Sequence, residues 1–302
     1  MNVNFVNLFN ALPGAMAQGL IWGIMAIGVF ITYKVLDVAD LTVDGSITTG
    51  GATCIILMVN GCNVWLAMLG AIIAGLLAGL ITGILHTLMG IPALLAGILT
   101  QLSLYSINLR IMSGKANQAI SVDKYDLLVS LRRIPNAILI GALFTVVIIA
   151  LLYWFFGTSL GCAIRSTGAN PNMSRAQGIN TDLTKVLGLM LSNGLVALSG
   201  ALLAQYQGFA DVNMGRGAIV IGLAAVIVGD VIFGKIFRNF ALKLLSVGFG
   251  AIIYYAVIQV VLWLGLNAND LKLLSAVVVA IFLAIPYWKG KYFNKAAKKE
   301  GK

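Results

Sequence analysis

Gln101, Tyr105 and Asn108 are spaced four and three residues apart within an otherwise apolar run, which sets three polar side chains on one face of a helix. A polar group in such a run must find a partner, a neighbouring helix or a wet path, so this face is a candidate lining for a translocation path. Asn193, in a later run, and Tyr255 with Gln259, in another, can complete that lining. Hydrogen bonds that merely hold helices together account for any single one of them equally well. The rest of the reactive inventory is sparse. No G-x-x-x-x-G-K-[ST] occurs; Gly114-Lys115, for example, is followed by Ala and Gly234-Lys235 by Ile, so the chain is expected to bind no nucleotide itself. The only glutamate is Glu300, and no aspartate falls at the centre of an apolar run, Asp230 lying near the end of one. A proton- or sodium-coupled carrier relies on a carboxylate at depth, so a stand-alone secondary transporter is the alternative and not the first reading. An intramembrane enzyme ranks third, because no Ser, His and Asp set or paired carboxylates share one plausible site. Cys54, Cys62 and Cys162 lack paired spacing and His86 is the sole histidine, which argues against a disulfide framework and against any metal site. His86 itself reads as a packing residue near a helix end.

The elements that must carry these residues follow from composition. Of 302 residues 60% are hydrophobic and 10% charged, and the mean hydropathy is +0.98. That balance belongs to a polytopic, all-α membrane protein rather than to a soluble domain. Apolar runs of spanning length fall at about 12–34, 45–60, 64–89, 91–112, 135–157, 184–207, 217–234, 240–264 and 272–288, nine in all. The first is longer than a signal-peptide core and is read as a retained span. One transmembrane domain, 1–288, and a basic tail, 289–302, make up the chain. The second and seventh runs are short and glycine-rich, the pattern of broken or re-entrant helices near a binding path. In the second, Gly45, Gly50 and Gly51 predict an unwound stretch, because glycine costs a helix about 1 kcal/mol relative to alanine. Asp37, Asp40 and Asp44 beside it read as solvated or helix N-terminal charges, with ligand contact as the sharper alternative. Gly75, Gly79 and Gly83 recur every four residues, so another helix can approach closely there. That helix belongs either to this chain or to a second copy.

The stretch 161–184 is the longest central one without a spanning run. Asn170 can cap a helix, Pro171 suits its first position and Gly178 can end it in the left-handed conformation, leaving about two turns at 171–177. A helix so short needs a surface to rest on, which a partner protein can supply; a plain capped connector is the blander reading. With this loop on the cytoplasmic side, Lys34, Arg165, Arg175, Lys185, Lys235, Arg238, Lys243 and the six lysines of the tail from Lys289 onward face inward, 13 of the 20 Lys and Arg. The positive-inside rule is then satisfied and the C-terminus is cytoplasmic. Lys115, Lys124, Arg132 and Arg133 in the opposite loop dissent. The net charge of +10 is explained by a lysine-rich tail beside anionic lipid, and nucleic-acid binding is the weaker reading.

The string GCAIRSTGANPNMSRAQGIN at 161–180, followed by SNGLVALSGALLAQYQG, resembles the signature of permease subunits of ABC importers in the branched-chain amino acid and ribose permease family. ADLTVDGSITTGG at 39–51 resembles a subgroup associated with aromatic amino acids such as tryptophan and tyrosine. The resemblance spans roughly 19–286. It implies a bacterial plasma (inner) membrane permease, and a coupling segment in which Asn170, Pro171, Ser174, Arg175, Gly178, Ile179 and Asn180 rest on an ATPase. It also implies a dimer of permeases with two cytoplasmic ATPase subunits, which hold ATP and Mg, and an extracytoplasmic substrate-binding protein. Branched-chain amino acids, a sugar, a nucleoside or a vitamin precursor remain open as cargo.

Overall fold

The computed structural model describes residues 5–122, 124–264, 273, 276–281 and 284. Of the expected ninth span, 272–288, residues 273, 276–281 and 284 are described and helical, and the tail lies wholly outside the described residues. The architecture is a helical membrane bundle. In chain order its helices are α1 (Phe5–Phe30, running into a π-helical turn at Ile31–Val35), α2 (Val43–Val59), α3 (Val64–Thr87), α4 (Ala93–Ile111), α5 (Ile134–Phe156), α6 (Ser159–Ala169), α7 (Pro171–Ala176), α8 (Thr181–Gln207), α9 (Ala218–Phe233) and α10 (Phe240–Trp263). Two three-residue strands absent from the sequence expectation, β1 (Asn117–Ala119) and β2 (Phe209–Asp211), pair antiparallel at one end of the bundle. Among the described residues, six helices are long and apolar enough to cross a membrane: α1 with its π turn, α3, α4, α5, α8 and α10.

The chain sorts its helices by what their faces carry. α1 and α8 are buried along most of their length, while α3, α4 and α5 leave most of theirs exposed. Rows of exposed leucine and isoleucine on α3 and α5, such as Leu66, Leu69, Ile73 and Leu77 or Leu139, Leu143 and Leu151, suit contact with lipid tails. Lipid is as apolar as leucine, so burial of apolar area does little to hold such helices together, and close backbone packing with hydrogen bonds must do more. The glycines supply the first. A Cβ on Gly79 would land on the carbonyl of Leu189, and one on Gly75 on that of Asn193, so the Gly75, Gly79, Gly83 face of α3 is spent against α8 of the same chain. Serine hydroxyls supply the second: Ser192 donates to the Gly28 carbonyl and Ser199 to that of Ile21, both at 2.7 Å, tying α8 to α1.

The unwound stretch expected at Gly45, Gly50 and Gly51 is not there. α2 is continuous from Val43 to Val59, and its glycines serve close helix contacts: a Cβ on Gly50 would strike the Ala197 carbonyl of α8 and one on Gly45 the Leu104 side chain of α4, while from the α8 side a Cβ on Gly200 would strike the Ile47 carbonyl. Contact at backbone distance offsets the helix cost of glycine. The non-helical backbone lies upstream instead, at 36–42 before α2 and at 212–217 before α9.

Those two lead-ins reach deep into the bundle. Asp40 bonds to Asn193, which lies near the midpoint of the 27-residue α8, about 18 Å from its first residue at 1.5 Å per residue. From that level α2 runs to the strand end of the bundle, where the Tyr125 hydroxyl meets the Val59 carbonyl. α9 runs the other way, to where Lys34 pairs with Asp230 at 3.0 Å. With 17 and 16 residues, each is about 24–26 Å long, short of the ~30 Å hydrocarbon core. Both N-termini therefore meet in mid-bundle.

Candidate translocation site and docking end

At that meeting point Asp44, in the first turn of α2, does not cap its own helix. Its carboxylate accepts the backbone N–H groups of Gly217 and Ile219, both at 2.9 Å, and so caps α9 from across the gap. Thr48, one turn on, accepts the N–H of Gly215 at 3.2 Å. An anion at a helix N-terminus satisfies orphan donors and meets the positive end of the dipole, which is worth up to about 2 kcal/mol when partly buried. Only glycine fits beside it, since a Cβ on Gly215 would overlap the Asp44 carbonyl.

Beside this junction lies a cavity of about 490 Å³, within the range of small-molecule sites. Asp44, Gly45 and Thr48 of α2 form one wall, Gln101, Leu102, Tyr105 and Asn108 of α4 a second, and Val212 with Arg216 of the α9 lead-in a third. The three residues singled out on α4 thus share a cavity. Tyr105 is 43% exposed, whereas Asn108 is buried and its Oδ1 has no hydrogen-bond partner among the described residues.

The other three expected path residues lie elsewhere. Asn193 is fully buried and fully engaged: its Nδ2 donates to Asp40 at 2.7 Å and to the Leu189 carbonyl at 3.0 Å, and its Oδ1 accepts from Ser46 at 2.6 Å. It locks α2 and α8 together and has no atom to offer a solute. Tyr255 packs on Trp22 of α1, with ring centroids 6.0 Å apart, and neither it nor Gln259 lines the cavity. Helical spacing relates residues on one helix; it cannot say which helix faces which.

Two expectations about carboxylates need correction. Asp40 is not solvated: it is buried, and it accepts from the Thr42 N–H at 2.9 Å as well as from Asn193. Together with Asp44 it stands at mid-bundle depth, so carboxylates at depth do exist, placed there by non-helical backbone that no apolar run reveals. Each is held by N–H donors, which is a structural use. Asp37 is exposed, as expected. His86 Nδ1 lies 2.9 Å from the Ile91 carbonyl at the end of α3, a satisfied packing residue. Among the described residues no cluster of metal-ligating side chains occurs. Arg216 and Thr48 escaped the sequence reading, although Gly215-Arg216-Gly217 ahead of an apolar run was a usable signal: an arginine on backbone free enough to turn.

At the end of the bundle opposite the strands, Asn170 caps α7 by accepting the Met173 N–H at 3.0 Å, Pro171 opens it, and Gly178 follows it with φ +81°. The helix does not wait for a partner to supply a surface. It rests on α6, a helix too polar for any spanning run to mark, through Ser166 and Ser174 hydroxyls 2.7 Å apart. Arg175 reaches back to its own chain at the surface, its Nε donating to Thr181 at 2.7 Å and its Nη2 meeting Asp182 at 3.4 Å. Asn180 caps α8 through the N–H groups of Asp182 and Leu183, and Ile179 N–H returns to the Ser174 carbonyl. The outward face of the cap includes Met173, 60% exposed, and the next helix exposes Leu183 near its start.

The family model for the branched-chain amino acid transport system permease component matches residues 12–286. The chain belongs to that family. It is thus a transmembrane permease subunit of an importer and not the catalytic subunit. The tyrosine transport system permease protein of Clostridioides difficile is 44% identical over 279 residues, 91% of each chain. The fructose import permease of Bifidobacterium longum is 25% identical, over 80% of this chain and 68% of its own. Among solved structures, PsaBC from Streptococcus pneumoniae in complex with Fab is similar with a TM-score of 0.54 over 95% of this chain and 100% of that one, at 18% identity, which is a likeness of fold.

Proposed function

We propose that this permease forms the path for an aromatic amino acid, tyrosine first, in an ATP-binding-cassette importer of the bacterial plasma membrane. The observation that carries the reading is the cavity at the junction of α2 and α9, where Gln101, Tyr105 and Asn108 face Asp44 and Arg216 across a space of amino-acid size. Similarity to a tyrosine permease across nine-tenths of both chains supports the cargo. A second copy of the chain completes the path, two ATPase subunits carrying ATP and Mg dock on the α6–α7 end, and a binding protein delivers cargo at the strand end. The C-terminal tail is then cytoplasmic. The short helices give the mechanism its physical form: closure of the motors biases the α6–α7 cap, and helices that end at mid-depth can tilt about their junction without breaking a spanning hydrogen-bond ladder.

The test is uptake of labelled L-tyrosine into proteoliposomes holding the full transporter and its binding protein. Tryptophan and phenylalanine are expected to compete, and leucine, ribose and fructose are not. Preferential carriage of leucine or a sugar overturns the cargo assignment.

A further inference from the structure

Among the described residues, Arg216 is the one residue of the cavity wall that carries a positive charge, and none of them answers it. Among the described residues no carboxylate lies within ion-pair distance of its guanidinium. The nearest candidate in the cavity, Asp44, spends both oxygens on the N–H groups of Gly217 and Ile219. A guanidinium held level with the middle of a membrane bundle is costly unless it meets an anion or water, and its fixed fork of donors matches a carboxylate in two-point contact. A second, independent observation comes from the same cavity. Asn108 is 1% exposed and its Oδ1 is left without a donor. An acceptor buried in that state is costly, and a ligand N–H that reaches it recovers the cost. The cavity therefore offers donors at Arg216, an acceptor at Asn108, and the ring of Tyr105 for an apolar body.

We infer that this cavity is a zwitterion site within the permease itself, in which Arg216 binds the cargo's carboxylate and Asn108 accepts a hydrogen bond from its ammonium. Selectivity for an amino acid is then checked twice, once by the binding protein and again in the membrane. The inference rests on the amino-acid reading above, and it goes further by naming the residues that read the two charged ends.

The test excludes the binding protein so that only the permease's own recognition is read. The full transporter with its ATPase subunits, in lipid nanodiscs, carries Cys62→Ser and Cys162→Ser to remove the exposed thiols, and Leu102→Cys as a reporter on the cavity wall. Labelling of the reporter by a methanethiosulfonate is followed against increasing L-tyrosine, tyramine, which lacks the carboxylate, and 4-hydroxyphenylpropionate, which lacks the ammonium. L-tyrosine is expected to protect, and the two truncated ligands to need roughly 10- to 100-fold more, the value of a hydrogen bond to a charged group. Arg216→Gln should raise the half-protecting concentration of L-tyrosine by the same factor and abolish its advantage over tyramine. Asn108→Leu should abolish its advantage over 4-hydroxyphenylpropionate. Arg216→Lys, which keeps the charge without the fork, should recover part of the effect and guards against a variant that merely fails to fold. Protection by leucine or glutamate in place of tyrosine, still dependent on Arg216, would leave this site standing and remove the aromatic cargo. Protection by tyrosine that is unchanged in Arg216→Gln would overturn the site and leave the cargo. Protection by neutral sugars alone, or Arg216→Gln splitting the permease pair instead of altering protection, overturns the site, the last because the guanidinium then pairs with the second copy.

Discussion

Tyr105 is a residue whose bulk can be changed without touching a buried hydrogen bond, because α4 holds its ring at the edge of the cavity. Tyr105→Trp adds volume there, and an overpacking cost of about 1–3 kcal/mol corresponds to roughly a 5- to 150-fold fall in uptake, with ATPase association unchanged. Transport that survives while the protein falls apart in detergent would make the ring a packing element. Asp44 is the opposite case, since its role is to hold backbone. Asp44→Asn turns one acceptor into a donor that faces an N–H, which should cost about 1–3 kcal/mol and lower the midpoint of thermal unfolding in lipid. Asp37→Asn, at an exposed site, is the matching control. Equal melting of the two variants would refute the cap.

At the level of elements, the crossing of α3 on α8 depends on hydrogen atoms where side chains would be. Gly79→Leu pushes against the Leu189 carbonyl, which is backbone and cannot swing aside, so a loss of at least about 1–3 kcal/mol is expected and is read as reduced monodisperse yield. Leu77→Ala, on the exposed face of the same helix, should leave yield unchanged. The α6–α7 cap predicts a selective phenotype. No atom lies within 4 Å of a Cβ built on Gly178, so Gly178→Val suffers from its left-handed φ alone, about 1–2 kcal/mol. Arg175→Glu removes the bond to Thr181 and sets a like charge beside Asp182. Both should insert at normal abundance yet lose co-purifying ATPase and substrate-stimulated hydrolysis, with Lys298→Glu as the control for charge. Full, coupled activity in both would reduce the cap to a connector.

For the whole molecule, the source of energy is the discriminating property. Reconstituted alone, the chain is expected neither to hydrolyse ATP nor to accumulate tyrosine under an imposed proton or sodium gradient. It has no phosphate loop, and its deep carboxylates, Asp40 and Asp44, are committed to N–H donors instead of waiting for a cation. Accumulation driven by either gradient would restore the secondary-carrier reading. Purification of a tagged copy in mild detergent should bring an ATPase with it.

Several features of this protein were legible without coordinates because each is written within one run of sequence. Apolar length reported the spanning helices, since a bilayer sets one dimension that every crossing must meet. The cap, proline and glycine of α7 reported its boundaries, because helix ends are closed by neighbours in sequence. The shared face of Gln101, Tyr105 and Asn108 followed from helical period alone. Period is silent about partners, and there tertiary structure decided. It spent Gly50 of α2 on α8 and Gly45 on α4 instead of on an unwound turn, and it engaged Asn193 with Asp40. It also left Tyr255 and Gln259 off the cavity and folded Arg175 back on its own chain. Above all, it carried Asp44 and Arg216 to one level of the bundle from positions 172 residues apart. Two short helices can meet end to end at mid-depth only if non-helical lead-ins are sheltered by other helices, and that shelter exists only once the chain has packed.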